Sequence, residues 1–352
     1  MSAAPTQPLW SVQYLRAIAA CAVLLSHIQD LIPAYVGYFD FGNGRCGVDI
    51  FFVISGFIMV TAARADSGRD FLARRIIRIV PLYWLLTLAL AAVGILMPHL
   101  LHYIRVTPSG VAQSVLFIPH MMGTEIGPLL QPGWTLNYEM AFYLVFAMFF
   151  SIPITHRVAV IGAVFTTLVV IGILFGANTG PIAFKTYTNP LLLEFVAGMA
   201  LGLLVQNNKR LPLWLSGIAI LGGITAICIL PYSETLRLFY FGLPAMAIVY
   251  GAISLEHTKP IRHIGWLRAL GDGSYSLYLT HLLTLGVVRV IWKPVFNTGT
   301  LIECMCFIAT CICAAVIVGQ LTYLWIEHPM TQALNRAYLN RARTGLWFRA
   351  GT

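Results

Sequence analysis

The residues able to do chemistry in this 352-residue chain lie within or beside its apolar stretches. The first stretch, SVQYLRAIAACAVLLSHIQD, carries Arg16 and His27. Their spacing is three helical turns plus about 20°, so both side chains share one face, ~16.5 Å apart along the axis. An ionisable group in hydrocarbon is costly and is a functional hypothesis by default. The plain alternative is an arginine that snorkels to the interface and a hydrogen-bonded histidine. The segment FLARRIIRIVPLYW places Arg74, Arg75 and Arg78 at i,i+3 and i,i+4 spacings, so that their guanidinium groups converge. Several convergent guanidinium groups suit a polyphosphate. The same arginines also satisfy the positive-inside rule or meet anionic lipid.

Carboxylates and aromatics accompany them. Asp49 opens the run GVDIFFVISGF, where it suits either a helix N-terminus or a catalytic role. In PGWTLNYEMAFYL, Trp134, Asn137 and Glu139 form a polar, aromatic mouth at the membrane face that His27 approaches. Glu139 also suits a helix dipole. Glu194 enters its helix from the same side. In YSLYLTH, Tyr278 and His281 are i,i+3 neighbours, placed for a structural hydrogen bond or a substrate contact. Glu327, in IEHPM, reads as a structural partner for a basic loop. His99 and His102 have ligand-like spacing, but no Asp, Glu or Cys joins them, so no metal is assigned.

The elements that must position these groups are membrane helices. Hydrophobic residues make up 59% of the chain and charged residues 10%, against about 25% charged in a soluble domain. That excludes disorder, a disulfide-rich scaffold and an ordinary soluble enzyme. Continuous apolar runs exclude a β-barrel. The expected fold is all-α: a polytopic membrane bundle of about ten helices, near 10–29, 47–63, 81–98, 134–152, 157–176, 190–206, 211–230, 238–255, 272–292 and 300–327. The segment 108–122, broken by Pro108 and Pro119, reads as re-entrant or interfacial. Cys304, Cys306, Cys311 and Cys313 read as small packing residues. No small-residue cleavage site follows the first stretch, so it is expected to be a retained helix.

The net charge is +9. With both termini cytoplasmic, 15 Lys and Arg fall inside, among them Arg64, Arg69, Arg74, Arg75 and Arg78 after the second span. Six fall outside: Arg45, Arg105, Lys185, Arg237, Arg289 and Lys293. Cys46 then lies in an outer loop, open to an impermeant thiol reagent unless that loop is packed down. Residues 1–9 form a cytoplasmic segment, 10–329 the membrane domain and 330–352 a basic cytoplasmic tail.

The motifs QYLRAIAACAVLLSH, GVDIFFVISGF, RRIIRIVPLYW, WTLNYEMAFYL, SYSLYLTH and IEHP occur in that order between Gln13 and Pro329. In this order, on ten spans, they resemble the acyltransferase-3 family of integral membrane acyltransferases. The opening QYLRAIAA is most similar to exopolysaccharide O-acetyltransferases of the succinoglycan type. The appended hydrolase-like domain of longer family members is expected to be absent.

The resemblance implies transfer of an acyl group, in the simplest case acetyl, from cytoplasmic acyl-CoA. The acceptor would be a hydroxyl of an exopolysaccharide, a lipid-linked oligosaccharide or another surface glycan at the outer face of a bacterial inner membrane. Acetyl-CoA or another acyl-CoA is then a substrate; no permanently bound cofactor, metal or nucleic acid is implied. The family's basic motifs fall on Arg16, Arg74, Arg75 and Arg78, which would hold the CoA phosphates. His27 would act as general base toward a sugar hydroxyl or carry the acyl group briefly. Glu139 or Asp49 would hold the imidazole in its working tautomer. Asn137, Tyr278 or backbone amides would stabilise the oxyanion, and Trp134 and His281 would join Asn137 and Tyr278 in contacting substrate. The alternative is a transporter or flippase of a lipid-linked saccharide or acyl donor, its buried charges forming a proton relay. The paired broken helices common in transporters are not visible in the sequence.

Overall fold

The structure, a computed structural model, describes residues 9–32, 40–61, 67–100, 106–122, 125–176, 180–230, 233, 236–292 and 300–343. Arg64, His102, Arg105 and Lys293 lie outside these residues. The chain opens with Trp10–Gln29 (α1), Gly47–Thr61 (α2), Gly68–Leu96 (α3) and Pro108–Val115 (α4). A short antiparallel ribbon pairs Met121–Met122 (β1) with Glu125–Ile126 (β2). Five helices follow: Trp134–Met148 (α5), Ile154–Leu174 (α6), Ile182–Tyr187 (α7), Leu192–Gln206 (α8) and Leu213–Ile229 (α9). Leu243–Thr258 (α10), Gly265–Asp272 (α11), Ser274–Trp292 (α12), Leu301–Thr322 (α13) and His328–Arg343 (α14) complete the described fold.

Every one of the ten expected spans carries a helix. Among the described residues, eight helical runs are long and apolar enough to cross a membrane. The other two are α9, with 17 residues, and α5, with 15. This is an integral, multi-pass helical protein.

The centre of the bundle is α1 and α2. Their most apolar windows are 67% and 72% buried, against 22% for the run containing α13. Small residues permit that centrality. The helices α2 and α8 touch backbone to backbone: a Cβ on Gly56 would fall 2.1 Å from the Phe195 carbonyl oxygen, and one on Gly198 would fall 2.0 Å from that of Val53. Small residues are what membrane helices use for such approaches. Beside this contact lies an aromatic core, with Phe52 and Phe142 both stacked on Phe195. The lipid-facing positions carry exposed Leu88, Ile95, Ile173, Leu221 and Ile302.

Two expectations change, and the segment 108–122 is too short to span, as a re-entrant or interfacial piece would be. The third span begins well before residue 81, because Ser67 caps α3: its Oγ accepts from the Asp70 N–H at 3.1 Å and donates to Asp70 Oδ2 at 2.7 Å. The arginine segment is therefore the first part of the spanning helix, with Pro81 inside it. Segment 108–122 forms only the eight-residue α4 and the start of the ribbon. It docks on α3 through Tyr83, whose hydroxyl donates to the Ser114 carbonyl at 3.0 Å, and through Trp84, whose indole donates to the Val115 carbonyl at 2.8 Å. Cys46 is only 6% exposed, in the turn Gly42–Cys46 pressed against α1, which corrects the expectation of a reagent-accessible thiol.

The chain continues as helix past Pro329 to Arg343. A π-turn, Tyr323–Glu327, joins α13 to α14, and the Tyr338 hydroxyl donates to Asp70 at the start of α3. The π-turn directs Glu327 inward, where its Oε2 accepts from the Ser276 hydroxyl at 2.5 Å.

Candidate active site

A cavity of about 770 Å³, counting its open mouth, lies between α1, α2, α3, α5 and α12. Its basic end is built from Arg16, Arg75 and Arg78. Arg16 is buried, and its Nη1 donates to Gln13 Oε1 at 3.1 Å, one helical turn back. The Arg75 guanidinium lies 5.5 Å from the Phe71 ring centroid and 5.7 Å from that of Tyr143. These cation–π contacts hold the charge at the cavity. Glu139 lines the same cavity. Its Oε1 accepts from the Tyr143 hydroxyl and, at 3.2 Å, from Ser55 Oγ.

The cavity wall continues to Thr135, Tyr275 and Tyr278. The Tyr278 and Thr135 hydroxyls are 3.1 Å apart. The Tyr278 ring lies 5.8 Å from the ring of His281, and the His281 ring lies 5.2 Å from that of His27. Tyr278 thus connects the arginine cavity to a histidine pair. His281 is buried, and its Nδ1 is 2.6 Å from the Tyr278 carbonyl oxygen, which can only accept. The neutral ring therefore carries its proton on Nδ1. Its buried Nε2 has no hydrogen-bond partner among the described residues. His27 is half-buried, with Nδ1 3.4 Å from Asp30 Oδ2.

The structure brings together Arg16, Arg75, Arg78, Glu139 and Tyr278 in the cavity, and His27 with His281 just beyond it. Other expected residues fall elsewhere. Arg74 is exposed and does not line the cavity, because it sits one position, about 100°, around the helix from Arg75. Asp49 is fully buried and holds Arg237, with Nε at 3.1 Å from Oδ1 and Nη2 at 2.9 Å from Oδ2. This bidentate pair takes it away from the expected role beside the imidazole. Glu139 is likewise not the partner of His27, since its own partners are Tyr143 and Ser55. Trp134 packs edge-on against Tyr138 at 5.9 Å and is not part of the cavity wall. Asn137 is buried outside the wall, with Oδ1 lacking a partner among the described residues.

Sequence reasoning missed Tyr143, Ser55 and Asp30. Tyr143 is i+4 from Glu139 and Asp30 is i+3 from His27, so helical spacing was the available signal. Ser55 reaches Glu139 across 84 positions of sequence, and no local pattern reveals that contact.

The profile of the acyltransferase domain family matches residues 9–319. The chain belongs to the acyltransferase-3 family. The exopolysaccharide production protein ExoZ of Rhizobium meliloti is 35% identical, over 88% of this chain and 96% of ExoZ. The putative peptidoglycan O-acetyltransferase YrhL of Bacillus subtilis is 28% identical, over 93% of this chain but 55% of YrhL. The peptidoglycan O-acetyltransferase OatA of Listeria monocytogenes is 23% identical, over 91% of this chain and 55% of OatA. No solved structure matches the chain. In this acyltransferase-3 chain, the cavity and the histidine pair are built from the stretches that carry the resemblance, and the protein is an acyltransferase rather than a transporter.

Proposed function

We propose that this acyltransferase moves an acetyl group from cytoplasmic acetyl-CoA to a hydroxyl of an exopolysaccharide or related surface glycan, at the outer face of a bacterial inner membrane. The observation that carries the reading is the continuity of one site. A buried arginine cavity leads to Tyr278, then to His281 and His27. Relatives named for exopolysaccharide production and for O-acetylation support the acceptor class and the acyl group.

The donor's phosphates rest on Arg16, Arg75 and Arg78, while Glu139 offsets part of their charge and fixes Tyr143. The pantetheine arm follows the cavity toward Tyr278. His27 Nε2 takes the proton from the acceptor hydroxyl as that oxygen attacks the thioester carbonyl. The Tyr278 hydroxyl donates to the oxyanion. Collapse breaks the C–S bond, and the thiolate takes the proton back from the imidazolium. The products are the ester and free CoA, with no net proton change.

The test uses radiolabelled acetyl-CoA with the purified protein in proteoliposomes and an isolated polysaccharide. Label should appear on the glycan. In the same assay Arg16→Ala, Arg75→Ala and Arg78→Ala should each weaken CoA binding by ~10- to 100-fold, the equivalent of losing one charge-assisted hydrogen bond of about 1.5–3 kcal/mol. Lysine should restore only part of it, because an ammonium lacks the planar fork. Arg74→Ala should leave affinity unchanged. Equal affinities across all four variants would return these arginines to an anionic-lipid or topological role.

Orientation has its own test. In a cysteine-free background, Asp40→Cys and Arg69→Cys place thiols at exposed positions on either side of α2. An impermeant thiol reagent should label Asp40→Cys in intact cells, and Arg69→Cys only after the membrane is opened. The reverse pattern would invert the bundle and overturn the cytoplasmic-donor mechanism.

A further inference from the structure

At two glycines the turn Gly42–Cys46 and the start of α2 meet the backbone of α1 directly. A Cβ on Gly44 would fall 2.2 Å from the Ala22 carbonyl oxygen, and one on Gly47 would fall 2.3 Å from that of Ala19. No other residue type fits at either position while the backbones stay where they are. Asn43 Nδ2 donates to the Ile227 carbonyl at 2.7 Å, and the Phe41 N–H donates to Gln29 Oε1. The Arg45 carbonyl accepts from Arg237 Nη2 at 3.5 Å. The turn is thus pinned from α1, α9 and the segment before α10.

Arg45 lies between the two contact glycines. Its Nη2 is 3.5 Å from Asp30 Oδ1, while Asp30 Oδ2 is 3.4 Å from His27 Nδ1. In the neutral imidazole an Nδ1–H directed at Asp30 would leave the Nε2 lone pair for the acceptor hydroxyl. Asp30 sits at the C-terminal end of α1, where the helix dipole disfavours a negative charge. The Arg45 guanidinium offsets that cost and turns the carboxylate toward the imidazole. The Asp30 side chain is 50% exposed, so without a second anchor it would be free to turn to solvent.

We infer that Asp30 is the positioning residue of His27, that Arg45 holds Asp30 in place, and that the glycine-flanked turn exists at this point to deliver Arg45. This rests on His27 being the base of the proposed reaction. Among the described residues, the charged and titratable neighbours of the imidazole are Asp30 on its own helix, Arg45 on the turn and His281 on α12.

The experiment separates turnover from binding. Asp30→Asn should lower kcat by ~10- to 100-fold while leaving acetyl-CoA affinity unchanged. That is less than the ~10⁴-fold loss known for a fully buried aspartate behind a catalytic histidine, because Asp30 is half exposed and its contact is longer. Asp30→Glu should recover much of the rate, and Arg45→Gln should cost about 3- to 10-fold by the same route. Combining Asp30→Asn with His27→Ala should be no worse than His27→Ala alone. Wild-type turnover in Asp30→Asn, or no rescue by glutamate, overturns the inference. If Asp30→Asn no longer binds CoA because it fails to fold, Arg45→Gln decides, and unchanged turnover there overturns it. Full activity of His27→Ala itself would instead overturn the proposed reaction.

Discussion

His27→Ala is expected to lower acyl transfer by ~10²–10⁴-fold, the range for removing a general acid–base group, while the protein stays in the membrane and still binds CoA. The size follows from the geometry. His27 has Nδ1 engaged by Asp30, leaving Nε2 to take and return the one proton the reaction moves. Donor affinity should hold, because the arginine cavity does not include His27. His281 is the adjacent imidazole, but its Nδ1 is held by the Tyr278 carbonyl and its ring is buried. It supplies at most a residual rate, and the variant with both histidines replaced by alanine should fall further. Initial rates and CoA affinity, measured on the same preparation, check the prediction. Near-normal transfer in His27→Ala would falsify the mechanism whatever the arginine variants do.

The largest expected loss of stability is elsewhere. Arg237→Ala should destabilise the protein by ~3–5 kcal/mol, the cost of breaking a buried ion pair from one side. Arg237 and Asp49 join the segment before α10 to the start of α2, and Asp49 is 0% exposed. Glu194, also buried, has neither carboxylate oxygen hydrogen-bonded among the described residues. Removing the guanidinium would leave two carboxylates in the protein interior without it. The expected readout is a clear drop in Tm in detergent and less protein in the membrane. Arg237→Met combined with Asp49→Leu should recover much of the loss, because an apolar pair of similar volume avoids the desolvation penalty. An unchanged Tm in Arg237→Ala would mean that the pair contributes nothing to the fold. If Asp49 were instead the carboxylate behind His27, Asp49→Asn would lower turnover at unchanged stability.

The sequence by itself determined the solvent, the helices and the family. In lipid each backbone group must be satisfied within its own helix, so a span is a local property of about twenty residues. That is why all ten apolar stretches are helices. The motifs that carry the family resemblance are equally local, as is the pairing of Arg75 with Arg78 on one helical face. Boundaries were legible only where a cap or break is visible. The third helix begins 13 residues before the expected position 81, because the Ser67 cap starts it there.

Tertiary structure alone decided the partners. Ser55 and Glu139 are 84 positions apart, and Asp49 and Arg237 are 188 apart. Which carboxylate meets which cation depends on how helices pack, and in this bundle small residues set that packing. Gly56 and Gly198 bring α2 against α8, while Gly44 and Gly47 press the Arg45 turn onto α1. Hydropathy carries no information about such contacts, because lipid solvates any apolar face equally well and leaves close packing to choose among them. The arginines and histidines were therefore visible as candidates in the sequence. That Glu139 serves the arginine cavity, that Asp49 serves the fold and that Arg45 reaches Asp30 were properties of the packed bundle.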